Sequence, residues 1–231
     1  MKQLALDFAV PPPTLDNFVA GRNAELVQSL RGLAARGATE RFIYIWGEAG
    51  SGRSHLLQAT VAAASATGAD AVYVACSGDT QFGEKLGHAE CVAVDDADCL
   101  GKAAQVALFN LYNALRERQG ALLVSGNVPP VQLGLREDLV TRLGWGLVYQ
   151  VHALSDEEKA QALTRHAEAR GFRLSAEVCD YLLNRVRRDM PSLLAMLDAL
   201  DRHSLETKRQ ITVPMVRELL QPHQAAAAKN G

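Results

Sequence analysis

Five short apolar runs punctuate the first two thirds of the chain: Phe42 to Trp46, Ala71 to Ala75, Cys91 to Val94, Ala121 to Ser125 and Leu147 to Val151. None alternates with polar positions, and each is too short for a buried helix. Such runs read as strands of a parallel sheet covered on both faces. The segments between them carry apolar residues at helical spacing. A helix is expected at 23–36, with Leu26, Val27, Leu30 and Leu33 on one face. A second runs to about Thr67, where Gly68 is placed to stop it. A third spans Lys102 to Arg118, with Val106, Phe109, Leu111 and Leu115 turned toward the sheet, and a fourth Leu135 to Leu143. From Ser155 onward the strands cease. Ser155 and Glu158 form a capping box, and helices are expected at 155–170, 175–187, 190–206 and 213–220. The pattern predicts an α/β protein, a parallel-sheet core followed by a small all-helical domain. The expected divisions are an extended arm at 1–13, the core at 14–153, the helical domain at 154–221 and a frayed tail at 222–231.

Composition narrows the class. With 48% hydrophobic residues in 231, the chain can build a sizeable core. A net charge of −2 argues against a dominant nucleic-acid footprint, and no sequence-specific DNA binding is expected. Cys76, Cys91, Cys99 and Cys179 lie far apart without C-x-x-C spacing. They read as buried thiols of a reducing compartment rather than a disulfide frame or zinc site. No signal peptide is visible and no apolar run approaches the ~20 residues of a membrane span. A cytoplasmic protein is expected.

The chemistry concentrates in Gly47-Glu48-Ala49-Gly50-Ser51-Gly52-Arg53-Ser54, set between an expected strand and an expected helix. That context is what a phosphate-binding loop needs: glycines let amide N–H groups curl around phosphate oxygens, and the helix N-terminus adds positive charge. Ser54 supplies a hydroxyl for Mg²⁺. The departure is Arg53, where the pattern has Lys. A guanidinium keeps the charge but is larger, planar and never neutral, so binding is expected to survive while hydrolysis suffers. Asp95 and Asp96 close a buried strand, where the first carboxylate would hold Mg²⁺, directly or through water, and the second would orient a water for attack. A helix or turn cap after a strand remains an alternative for this pair. Asn127, just past the fourth strand, can act as a polar sensor of the terminal phosphate or serve the Pro129-Pro130 turn alone. His55 reads as a packing residue, and Trp145 and Tyr149 as core or interface aromatics.

A P-loop sheet followed by a helical lid is the layout of AAA+ proteins, and further pieces are more specific. Thr14-Leu15-Asp16-Asn17-Phe18-Val19-Ala20-Gly21, Asn127-Val128-Pro129-Pro130 and Thr141-Arg142-Leu143-Gly144-Trp145-Gly146 resemble segments of the DnaA initiator family. Gln3-Leu4-Ala5-Leu6-Asp7-Phe8 matches the sliding-clamp-binding pattern Q-L-x-L-x-[LF]. An AAA+ core with a clamp arm and no helix-turn-helix domain resembles the Hda-type regulators within that family. The resemblance implies an ADP- or ATP-binding protein with weak or no ATPase of its own. Its implied partners are DnaA and the DNA polymerase III sliding clamp (beta subunit), with a homo-oligomer also possible in the family. It implies an arginine finger at Arg142, acting on a neighbour's nucleotide. Spacing alone allows a bland alternative, an i, i+4 ion pair with Asp138 worth about 0.3–0.5 kcal/mol. Where DnaA-like proteins carry a lid sensor Arg, this chain has Pro191, with Arg187 and Arg188 nearby. For the arm, an edge strand built from Leu4, Leu6 and Phe8 is the competing reading. For the whole chain, the rival is a self-contained ATPase of the helicase-loader or clamp-loader kind.

Overall fold

All five apolar runs are strands, and all lie parallel in one sheet of order β2-β3-β4-β1-β5. They are β1 (Phe42–Trp46), β2 (Ala71–Ala75), β3 (Cys91–Asp95), β4 (Ala121–Gly126) and β5 (Leu147–Gln150). The structure is a computed structural model that describes residues 11–220 apart from 84, 85, 87 and 188. Helices α1 (Ala24–Ala34), α2 (Arg53–Ala66), α3 (Lys102–Glu117) and α4 (Glu137–Leu143) complete the core unit.

Strand pleating sends neighbouring side chains to opposite faces, and the two cores follow from it. Ile43 and Ile45 pack with Leu26, Leu30, Leu56, Leu57 and Leu123 on the side of α1 and α2. Tyr44, between them, points the other way and joins Val92, Val94, Leu108, Leu115, Leu122 and Leu139 on the side of α3 and α4. β3 and β4 are buried throughout, whereas β2 is only half-buried and β5 is largely exposed, because each of these has a neighbour on one side only. Full burial on both faces therefore holds for the central strands and not for the edges.

The helix phases need one correction. The buried side of α3 is Ala104, Gln105, Leu108, Leu111, Tyr112 and Leu115, and Val106 faces outward at 40% exposure. Counting forward from Ala104 by four and three residues reaches Leu108, Leu111 and Leu115 but never Val106. α4 starts two residues later than its pattern suggests, because Arg136 takes an extended N-cap conformation. α2 ends as expected: Gly68 adopts φ +83° and the Gly68 and Ala69 amides bond back to Ser65 and Ala64, closing a Schellman turn. Of the cysteines, Cys91 and Cys179 are buried, Cys76 is half-buried and Cys99 is exposed, so the buried-thiol expectation fails at Cys99.

The described chain falls into two compact units, one of Pro12–Ala153 and one beginning at Leu154. The second contains α5 (Asp156–Ala169), α6 (Ala176–Arg185), α7 (Met190–Thr207) and α8 (Val213–Leu220) around its own core of Leu163, Leu182, Leu193, Leu197, Met215 and Val216. The capping box at its start is present: the Glu158 amide donates to Ser155 Oγ (3.1 Å) and the Ser155 amide to Glu158 Oε2 (2.7 Å). Among the described residues, no helix is long and apolar enough to cross a membrane. The arm residues Gln3, Leu4, Leu6 and Phe8 lie outside the described residues, as does Arg188.

Candidate functional site

The sheet order itself marks a site. From β1 the chain crosses outward over β4 and β3 to reach β2, while β5 is added on the opposite side. Open α/β sheets bind ligands at the carboxyl ends of strands where such connections diverge. The loop from Gly47 to Gly52 leaves the carboxyl end of β1 there and runs directly into α2. Gly52 has φ +103°, and a Cβ on it would fall 2.7 Å from Phe18 Cε2, so only glycine allows this close approach. The first α2 amides have no helical carbonyl before them, and only from Leu56 does an amide find one, on Gly52. The result is a cradle of unpaired amides at a helix N-terminus, the arrangement that suits an anion. Ser51 Oγ and Arg53 Nη1 are buried within it without a hydrogen-bond partner.

The segment from Thr14 to Phe18 covers the start of α2. Phe18 stacks obliquely on His55 with ring centroids 5.4 Å apart, and His55 Nε2 lies 3.0 Å from the Thr14 carbonyl oxygen. Burial holds the His55 pKa below the usual imidazole range, with the Thr14 contact working against it. The neutral ring then donates Nε2–H to Thr14. The unfolded chain takes up a proton near pH 6.5 while the folded one resists. Stability is therefore full above that pH and falls as the pH drops below about 6.5. Melting curves of His55→Gln should show a shallower decline over this window, and an unchanged slope would deny His55 the effect.

Asp95 and Asp96 meet the loop from β3. Asp95 is buried and both its oxygens are engaged: Tyr73 donates to Oδ2 at 2.7 Å, and Ser125 donates to Oδ1. Burial pushes the Tyr73 hydroxyl up to about 12, which keeps it a donor. The Asp96 amide donates to Ser125 Oγ at 2.8 Å, and Asp96 itself adopts a left-handed φ of 53°. That turn brings Asp96 Oδ1 within 3.1 Å of Arg53 Nη1, an ion pair at bonding distance whose N–H is not aligned for a hydrogen bond. Burial first, and Asp95 second, push the Asp96 carboxyl above the ordinary range, with Arg53 pulling it back.

Residues fitting a phosphate are thus present, while the two carboxylates expected near Mg²⁺ already have protein partners. Ser54 is exposed at the head of α2, Asp95 is buried with one hydrogen bond on each oxygen, and Asp96 faces a guanidinium. Among the described residues, no group of three or more His, Cys, Asp or Glu side chains is arranged to hold a metal. Tyr73 and Ser125 escaped the sequence reading. The signal for Ser125 was there, a hydroxyl ending an otherwise apolar buried strand. Asn127 is exposed past β4, and its amide donates to Asp98 Oδ1 at 3.1 Å.

Arg142 is elsewhere. It sits at the end of α4, just before β5, whose Leu147 lies beside Ile43 near the start of β1. The phosphate loop departs from the other end of β1, roughly 15 Å of strand away. Arg142 does not pair with Asp138, because Arg136 takes that carboxylate with two bonds, Nε to Oδ1 at 3.1 Å and Nη2 to Oδ2 at 2.7 Å. Arg142 instead lies over the Trp145 ring, 4.0 Å from its centroid, with Phe109 and Tyr112 behind. Trp145 is 54% exposed and carries Arg116 as well, at 5.3 Å. It is a surface aromatic rather than a core one. In the helical unit, Pro191 occupies the first turn of α7, where Asp189 caps by accepting from the Ser192 amide at 2.9 Å. Arg187 is exposed and pairs with that same Asp189 at 3.2 Å.

Comparison with known proteins separates the same two units. Residues 11–150 match the family model of the bacterial DnaA ATPase domain, and residues 156–220 match that of the Hda lid domain. Among solved structures, AMPPCP-bound DnaA from Aquifex aeolicus is 23% identical, with 87% of this chain and 68% of that chain covered and a TM-score of 0.68. Domain III of Thermotoga maritima DnaA is 19% identical, with 92% and 98% covered and a TM-score of 0.68. A variant of Thermotoga maritima RuvB is 16% identical, with 90% and 72% covered and a TM-score of 0.61. At these identities the likeness is one of fold.

Proposed function

This chain belongs to the bacterial DnaA ATPase-domain family, and from that premise we propose that it is a regulatory adaptor acting on the nucleotide of a DnaA partner. It holds an adenine nucleotide in the loop at Gly47–Ser54, docks on the DNA-loaded sliding clamp through Gln3, Leu4, Leu6 and Phe8, and presents Arg142 to DnaA–ATP. The consequence is DnaA–ADP and restraint of replication initiation.

The observation that carries the reading is the position of Arg142, at the edge of the sheet opposite its own phosphate loop and without a carboxylate partner among the described residues. An arginine so placed has no reach to its own nucleotide, and an unneutralised guanidinium at a surface suits a phosphate brought by a neighbour. Its Trp145 stack, worth about 0.5–1 kcal/mol, is weak enough to be exchanged for that contact. The Hda lid match of residues 156–220 supports a regulator rather than an initiator. A self-contained ATPase is disfavoured by Arg53, which holds Asp96 where such an enzyme needs it free to orient water.

The arm assignment rests on its sequence pattern. Three buried apolar side chains contribute about 5–9 kcal/mol, and ordering the arm costs about 1–2 kcal/mol per residue. A single arm then binds weakly, and useful affinity comes from several arms on one ring. The test is DnaA–ATP turnover with this chain, with and without clamp loaded on DNA. Acceleration should need both, and Leu4→Ala/Leu6→Ala should lose retention on the clamp together with the acceleration. Turnover that stays at the DnaA baseline in the complete mixture rejects the proposal.

A further inference from the structure

Phosphate-loop sites ordinarily balance the phosphate charge with Mg²⁺, held by the loop hydroxyl and a carboxylate at the end of a neighbouring strand. Mg²⁺ demands near-octahedral oxygen ligands at about 2.0–2.1 Å and sheds its waters reluctantly. In this site the nearby carboxylate oxygens have other work. Asp95 is buried and already accepts one bond on each oxygen, from Tyr73 and from Ser125, which fixes its direction and leaves little approach for a hydrated ion. Releasing Asp96 means displacing a permanently charged guanidinium from 3.1 Å away.

A positive charge is nevertheless already in place. The Arg53 side chain is only 12% exposed, enclosed between the loop and Asp96. Its Nη1 is buried without an aligned acceptor, and so is the hydroxyl of Ser51, two residues earlier in the same loop. Buried donors without acceptors are costly to leave unpaired. A phosphate oxygen at the cradle satisfies both, with the charge-assisted bond that guanidinium geometry favours. One face of the guanidinium then meets Asp96 and the other the phosphate, an arrangement that sets a cation beside the phosphate in place of an open carboxylate.

We propose that Arg53 is the resident cation of this site, so that an adenosine phosphate is bound without Mg²⁺. The inference rests on the nucleotide-binding reading of the loop. It assigns a function to the substitution of Lys by Arg: the single positive charge is kept, and the planar guanidinium can face Asp96 and a phosphate at once. Lysine at position 53 would be a compact, strongly hydrated point charge without the guanidinium's planar fork, and its hold on Asp96 would be weaker. Asp96 would then be open to a metal ion.

The test is equilibrium binding of ADP to the full chain by calorimetry, in excess Mg²⁺ and again in EDTA. The dissociation constants of the native chain should agree within about threefold, and those of Arg53→Lys should differ by about tenfold or more in favour of Mg²⁺. Tenfold weakening of the native chain in EDTA overturns the proposal without any variant being needed. An Arg53→Lys chain that binds equally in both buffers takes the charge role away from Arg53. Absence of ADP binding in either buffer brings down the nucleotide reading itself, and the proposal with it.

Discussion

Arg142→Ala should lower the stimulated rate of DnaA–ATP hydrolysis by about 10³–10⁵, the range over which an arginine finger acts on a phosphoryl-transfer transition state. Nucleotide binding at Gly47–Ser54 and retention on the clamp should remain, since the loop leaves the end of β1 opposite Arg142 and the clamp pattern is a separate stretch of sequence. The size of the effect is what makes it informative. A thousandfold loss corresponds to about 4 kcal/mol of transition-state stabilisation. The local role of Arg142 is a stack on Trp145 at 4.0 Å, worth about 0.5–1 kcal/mol. A chain of this size loses about 2–4 °C of melting temperature per kcal/mol, so the variant should stay folded while its effect on the partner disappears. Arg142→Lys should rescue little, because an ammonium keeps the charge but not the planar, two-pronged donor set. Stimulation undiminished in Arg142→Ala would leave the residue with its stacking role alone.

Two glycines flanking Trp145 should respond in opposite senses to the same substitution. A Cβ on Gly146 would lie 2.0 Å from the carbonyl oxygen of Phe42, and backbone atoms of β1 cannot swing aside as a side chain can. Gly146→Ala must push β5 away from β1 at the start of their pairing, where Leu147 is beside Ile43. We expect a cost of about 3 kcal/mol or more, at the upper end for overpacking, and a first unfolding transition roughly 6–12 °C lower. Because β5 and Trp145 carry Arg142 with them, stimulation of the partner should fall as well. On Gly144 a Cβ would meet nothing closer than 3.6 Å, and φ is an ordinary −84°. Gly144→Ala should leave the fold intact or stabilise it by about 0.4–1 kcal/mol through the unfolded chain. Thermal melts of the two variants side by side decide the matter. Equal melting temperatures would mean that β1 and β5 are not held this closely.

That contrast shows how the Thr141-to-Gly146 motif could be found without being understood. Gly144 and Gly146 look alike along the chain, and only the neighbour brought in by sheet pairing, the Phe42 carbonyl, separates them. Arg142 and Asp138 teach the same lesson. Their i, i+4 spacing permits an ion pair, but Arg136, held extended at the helix N-cap, reaches Asp138 first. Val106, being apolar, reads from the sequence as part of the buried face of α3. Leu108 and Tyr112 hold that face instead, and Val106 is left to solvent.

What the sequence determined by itself is whatever depends on near neighbours. Strand runs, helix periodicity, the Ser155 capping box, the Gly68 stop and the glycine-rich loop before α2 are set by backbone preferences and side-chain spacing within a few residues. Tertiary structure decided which groups hold the Asp95 carboxylate and where the charges go. Tyr73 and Ser125 reach Asp95 from 22 and 30 residues away, because the sheet places β2 and β4 on either side of β3. Arg53 finds Asp96 because a left-handed turn after β3 aims that carboxylate at the loop. Arg142 is kept from the glycine-rich loop because α4 returns the chain to the amino-terminal edge of the sheet. Hydrogen bonds and ion pairs act over about 3 Å, so their partners follow from strand order, which no local pattern along the chain encodes.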